Sequence, residues 1–280
     1  MERVRQEMTR KYLVFDIETV PNDEAGWTPP EDNPGDFPPI PAHKIVSIGG
    51  MLIQLTPAGF GNQSDNKVLW LGNFGKPDDE ISIIHEFLKM IDAEQPDLVS
   101  YNGRGFDLAV IEHRCMRFGL QCTSLFDWNL RNRYKPDGHL DLLDQLTNYG
   151  ASRRSSLAHV CAALGMPGKM DVDGTQVSDM IKEGKQQEVD SYCMCDVVET
   201  AWLLVRFMHM KGTINTETNY NSIHNIAIAA IDTGNEMLAK LVGLTNLNRL
   251  DLEELLEYSD KRGTTIEEDD DDDDDDGLPF

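Results

Sequence analysis

Residues Lys11 to Val20 read KYLVFDIETV, and no other run constrains the chain as much. The first half is apolar and rich in β-formers, and Pro21 stops it, so it reads as a strand. Asp16 and Glu18 sit two apart at its end. A period of two puts both side chains on one face of a sheet. Two like charges there repel unless something positive lies between them, and a divalent cation that prefers oxygen meets that need. By itself a D-x-E pair is more often two exposed surface acids.

The rest of the chain alternates. Lys44–Leu55, Lys67–Leu71 and Leu98–Tyr101 read as further strands, and the Pro- and Gly-rich residues 21 to 43 as an exposed loop. Helical spacing appears over Pro77–Ile91, with Asp78 and Asp79 suited to its N-terminus. Further helices are expected from about Asp107 to Phe118, over Leu140–Thr147, after Ser155 or Ser156 until Gly165, and over Val189–His209. Ile223, Ile226, Ile228, Ile231, Met237 and Leu238 give residues 212–262 an apolar face. The pattern predicts an α/β chain with a mixed sheet flanked by helices over 1–211, a helical C-terminal extension over 212–262, and a disordered acidic tail over 263–280.

The net charge of −24 excludes a basic protein that coats nucleic acid; contact with a polyanion would be local, or through metal ions. No apolar run reaches the length of a transmembrane helix, and Met1–Lys11 has no secretory h-region. The five cysteines form no CxxC pair and read as reduced, mostly buried thiols of a cytoplasmic protein.

Two later segments carry carboxylates in telling places. Asn102-Gly-Arg-Gly-Phe-Asp107 follows a strand and opens a helix, which sets a carboxylate at the carboxyl edge of the sheet; Asp107 alone would pass for an N-cap. In Tyr192-Cys-Met-Cys-Asp196, Tyr192 and Asp196 stack one turn apart on a helix. Together with Asp16-x-Glu18, in this order and spacing, these segments resemble the three motifs of the tyrosine-type DEDD 3′–5′ exonucleases. The chain is similar to the proofreading exonuclease domain of family B DNA polymerases over about residues 11 to 211. His139-Leu-Asp141 and the stretch from Ser156 to Lys169 look like the same subfamily.

The resemblance implies an RNase H-like fold and a metal-dependent 3′–5′ exonuclease acting on single-stranded DNA ends, with RNA trimming or an idle binding module as alternatives. It implies that Asp16, Glu18, Asp107 and Asp196 hold two divalent cations, Mg²⁺ or Mn²⁺, and that Tyr192 orients the attacking water. A phenol is a poor base at neutral pH but a good hydrogen-bond partner. Thr19 and Asn102 are expected beside the scissile nucleotide, Phe106 against a terminal base, and Lys169 on a phosphate. Arg104 is a weaker phosphate candidate, and Asp141 reads as a surface or capping acid, with support of the metal ligands as the alternative. No polymerase segment accompanies these motifs, so proofreading would act in trans.

Ten consecutive acids, Glu267 to Asp276, precede Gly277-Leu278-Pro279-Phe280. This stretch resembles the tail of bacterial single-stranded-DNA-binding proteins, which is acidic and ends in a small apolar tip. The resemblance implies docking of Leu278, Pro279 and Phe280 on proteins that read such tails; occupation of the chain's own nucleic-acid channel by the acids is the rival reading.

Overall fold

A computed structural model of the chain describes residues 9–33, 35–57, 66–135, 137–168 and 176–245. The KYLVFDIETV run lies within β1 (Arg10–Pro21). β1 pairs antiparallel with β2 (His43–Leu55), and β2 with β3 (Lys67–Asn73). Helix α1 (Glu80–Glu94) carries the chain back to β4 (Asp97–Ser100), parallel to β1. Helices α2 (Asp107–Phe118) and α3 (Trp128–Arg131) lead to β5 (His139–Asp141), parallel to β4. The sheet order β3-β2-β1-β4-β5, with β1 at the centre, is the RNase H-like mixed sheet. Then come α4 (Leu142–Leu146), α5 (Leu157–Ala163), α6 (Val177–Lys182), α7 (Gln186–Met210), α8 (Thr216–Asp232) and α9 (Glu236–Leu244).

The alternation in β1 divides the core in two. Leu13, Phe15 and Ile17 pack with Ile84 and Phe87 of α1 and Ile111 of α2. Tyr12 and Val14 point the other way, toward Val198, Trp202 and Val205 of α7. Asp16 and Glu18 continue that second row, so the period of two aims both carboxylates at α7. α7 shows no clean amphipathic stripe because it is covered on nearly all sides: by the sheet, and by Ile223, Ile226 and Leu238 of α8 and α9. Trp202 fixes this packing by donating its indole N–H to the Ile223 carbonyl at 3.2 Å.

One element departs from the sequence expectation. Leu140 and Asp141 belong to β5 rather than to a helix, which begins at Leu142. β5 is three residues long, too short for a period of two to register. Asp141 ends the strand and caps the helix at once, accepting from Leu143 N–H at 3.0 Å, so no turn residue marks the switch.

α7 reaches β2 closely because Gly49 lies between them. A Cβ on Gly49 would stand 3.1 Å from both the Cys193 sulfur and a Val197 methyl. Gly49→Ala should therefore lift α7 off the strand and lower stability by about 1–2 kcal/mol, measured by denaturant unfolding. An unchanged midpoint would mean that the helix is not seated on this glycine.

Candidate functional site

The carboxyl ends of the parallel strands meet the flank of α7, and the acids gather there. Val14 is in register with Val99 of β4, so Asp16, two residues on, lies level with the turn that follows Ser100. Asp107 enters from that turn as the first residue of α2, and Asp196 from α7. Glu18 and Asp107 are buried, and Asp16 and Asp196 half-buried.

Electrostatics show how near these groups are. Burial, then Asp107, Asp196 and Glu18, push the Asp16 carboxyl well above the usual range. Burial, then Asp196 and Asp107, do the same to Glu18. Burial raises Asp107 to about 7, against the pull of its own N–H and that of Ile17. Asp196 is also raised to about 7 by burial, while a hydrogen bond with Tyr192 pulls it back. Among the described residues, none of the four forms an ion pair with lysine or arginine. Four oxygen donors without a cation suit a hard divalent metal.

A fifth group joins them that sequence reasoning read only as a buried thiol. The Cys193 sulfur and carboxylate oxygens of Asp16 and Glu18 lie within 4.8 Å of one another. The thiol donates to the Asp16 carbonyl at 3.3 Å and accepts from Gly49 N–H at 3.2 Å. Its place one residue after Tyr192 is visible in sequence, but its direction depends on α7 crossing β2 at a glycine.

The turn before Asp107 is held by one carboxylate. Asp141 accepts from Asn102 N–H at 2.9 Å and Arg104 N–H at 3.0 Å while capping α4. Asn102 takes a left-handed φ of 72°, and its side-chain oxygen accepts from Arg154. The Arg104 guanidinium donates to the carbonyls of Leu130, Arg131 and His139, so it braces β5 and α3 and is not offered to a phosphate.

Phe106 packs against residues that the sequence reading passed over. Its ring stands 4.9 Å from His43, edge to face, and 5.5 Å from Phe37, which is 66% exposed. His43 Nε2 lies 2.9 Å from the Pro38 carbonyl, which can only accept, so Nε2 carries the proton. Nδ1 then accepts from the Thr19 hydroxyl at 2.9 Å. Thr19 thus offers the cleft an acceptor oxygen. Lys169, the acidic run and Leu278, Pro279 and Phe280 lie outside the described residues.

The raised carboxyls link stability to pH. Without metal, the folded chain holds protons that the unfolded chain releases near pH 4, so stability falls as pH rises from about 4 to about 7. Asp196→Asn keeps the shape and removes one charge. In EDTA at pH 7.5 it should melt roughly 3–8 °C above the unsubstituted chain, with the gap closing toward pH 5. A gap that does not change with pH would show that the Asp196 carboxyl is not raised by its burial.

A family model described as a predicted 3′–5′ exonuclease related to the exonuclease domain of PolB matches residues 35–241. The matched range holds Asp107, Tyr192 and Asp196, while Asp16 and Glu18 precede it on β1. No curated protein matches the chain. Among solved structures, the chain is similar to the family B DNA polymerase of the hyperthermophilic archaeon Pyrobaculum calidifontis, at 15% identity and a TM-score of 0.45. That similarity covers 78% of this chain and 29% of the polymerase. Because the family model spans well over half of its length, the chain belongs to the family of predicted 3′–5′ exonucleases related to the exonuclease domain of PolB.

Proposed function

We propose that the chain is a metal-dependent 3′–5′ exonuclease that hydrolyses phosphodiester bonds at the 3′ end of single-stranded DNA, working in the cytoplasm in DNA repair or replication. The observation that carries this reading is the convergence of four carboxylates from β1, α2 and α7 with no lysine or arginine paired to them among the described residues. PolB-like exonuclease domains use divalent metals. Asp16, Glu18, Asp107 and Asp196 would hold two such ions, Mg²⁺ or Mn²⁺. When bound, the ions supply a hydroxide-like nucleophile at neutral pH and neutralise charge on the leaving oxygen.

The remaining work falls to the chain's own groups. Tyr192, linked to Asp196, orients the attacking water through its hydroxyl. Phe106, backed by His43 and Phe37, offers an aromatic face to the terminal base. Asn102 and Thr19 flank the scissile nucleotide, and Lys169 takes a phosphate. The Leu278-Pro279-Phe280 tip docks the enzyme on proteins that read acidic tails; deleting Phe280 should abolish that binding and leave basal nuclease activity intact, and binding that survives the deletion rules the docking out.

The test is a 5′-labelled single-stranded oligonucleotide, as DNA and as RNA, with Mg²⁺, Mn²⁺ or EDTA. DNA should shorten from its 3′ end, and EDTA should stop the reaction. Asp16→Ala should lose at least 10³-fold in turnover while staying folded, since the loss of one charge relieves repulsion. Tyr192→Phe should lower kcat roughly 10- to 100-fold with little change in DNA affinity. Faster shortening of RNA would reassign the substrate, and full activity of Asp16→Ala would sink the mechanism.

A further inference from the structure

Beside the Asn102 turn lies a second feature, which the metal chemistry does not use. A pocket of about 410 Å³ opens between that turn, α3 and the segment after α4. Arg104, Arg131, Arg133 and Arg154 line it, four of the thirteen arginines of a chain whose net charge is −24. Asn102 and Asp141 form the wall it shares with the turn leading to Asp107.

We propose that this pocket binds the single strand on the 5′ side of the scissile bond, taking a backbone phosphodiester on Arg133 and Arg154, with a base on Tyr134 and Tyr149, which lie outside the pocket lining and adjoin it through Arg133. The inference rests on the exonuclease reading above and says where the substrate strand runs. Arg104 is committed to three backbone carbonyls and Arg131 pairs with Glu112, so neither is offered. Arg154 forms no ion pair among the described residues; its guanidinium meets the Asn102 side-chain oxygen. Arg133 grips Asp144 with two bonds of 2.6 and 3.1 Å; Asp144 is half-buried while Arg133 is exposed, so a phosphate can compete for the guanidinium from the solvent side.

The aromatic side is built as deliberately. The Tyr134 and Tyr149 rings stand edge to face at 4.8 Å, and the Arg133 guanidinium lies 5.9 and 5.7 Å from their centroids. Tyr134 is 68% exposed. Tyr149 is half-buried, so Tyr134 presents the open face of the pair, and an exposed ring with an arginine beside it is what a single-strand stacking platform needs. Asn148, Tyr149 and Gly150 take φ of 49°, 57° and 93° in succession; glycine and asparagine adopt this left-handed region readily, and Tyr149 is the residue for which it is unusual.

The experiment uses the full chain in Ca²⁺, with a fluorescent single-stranded 12-mer followed by anisotropy across a salt series. Hydrolysis of the p-nitrophenyl ester of thymidine 5′-monophosphate, too small to reach the pocket, is measured in parallel in Mn²⁺. Arg133→Ala and Arg154→Ala should each weaken the 12-mer about 10-fold at low salt and flatten the salt slope by about 0.7, one phosphate contact on a single strand. Arg133→Lys, which keeps the charge without the fork, should fall between. Asp144→Asn, which removes the competing acid, should tighten binding several-fold; a merely structural Arg133–Asp144 pair would instead weaken it. Ester turnover should follow the unsubstituted chain in Arg133→Ala, Arg133→Lys and Asp144→Asn. Unchanged 12-mer affinity in both alanine variants, or weaker binding by Asp144→Asn, overturns the proposal. Failure to hydrolyse the ester in the unsubstituted chain would count against the exonuclease reading instead, since the pocket's affinities are read without turnover.

Discussion

Asp16, Glu18, Asp107 and Asp196 repel one another where, among the described residues, no lysine or arginine pairs with them, and the chain treats its other buried acids quite differently. Glu80 is buried as Glu18 and Asp107 are, yet it meets the Arg114 guanidinium with two bonds of 2.6 Å and takes Ile45 N–H at 2.7 Å. Asp141 is satisfied by backbone N–H groups from two segments. Glu199 accepts from Gly168 N–H at 3.0 Å, and burial lifts it to about 8, so it stays largely neutral at pH 7. Each of those acids has its compensation built in. Among the described residues the four at the site have a phenol, a thiol and backbone N–H groups, and without metal they keep protons; a divalent cation is what would let them ionise together at neutral pH.

Holding such a cluster together requires a frame that does not yield. Fully buried side chains such as Trp202, Phe15, Phe87 and Leu13 each contribute about 1.5–3 kcal/mol, and they lie on both sides of β1. That apolar packing, rather than any polar contact at the site, resists the repulsion. Its geometry depends on small features. Gly49 lets α7 settle against β2, Asp141 ties the Asn102 turn to β5, and the Glu80–Arg114 pair fixes α1 and α2 beside β2. A buried ion pair of that kind is weak as a source of stability but costly to break, which suits a structural pin.

The parts of this arrangement legible in sequence were those written in local pattern. β1, α2 and α7 announced themselves by period and punctuation, and each carries its acids where the period puts them. What sequence could not supply was contact between distant segments. Phe37 sits in a Pro-rich loop that reads as exposed, and it is exposed, yet its ring meets Phe106, sixty-nine positions later by number. Arg104 looked available because it lies in a glycine turn, but three carbonyls from α3 and β5 claim it. The Cys193 sulfur lies beside Asp16 only because a helix crosses a strand at a residue without a side chain.

On the proposed reading, a chain of net charge −24 must hold a polyanion, and its charges divide that task by distance. Long-range attraction is unavailable, since the overall field repels nucleic acid and is screened within about 10 Å at moderate salt. Binding must therefore come from short-range groups: metal ions at the carboxylates, and the guanidinium forks and aromatic faces beside Asn102. Such contacts act only on a strand threaded into the cleft. The acidic surface then becomes a filter. It holds duplex backbones away in general and leaves an end, where one flexible strand can be drawn in, as the place where attraction exceeds repulsion.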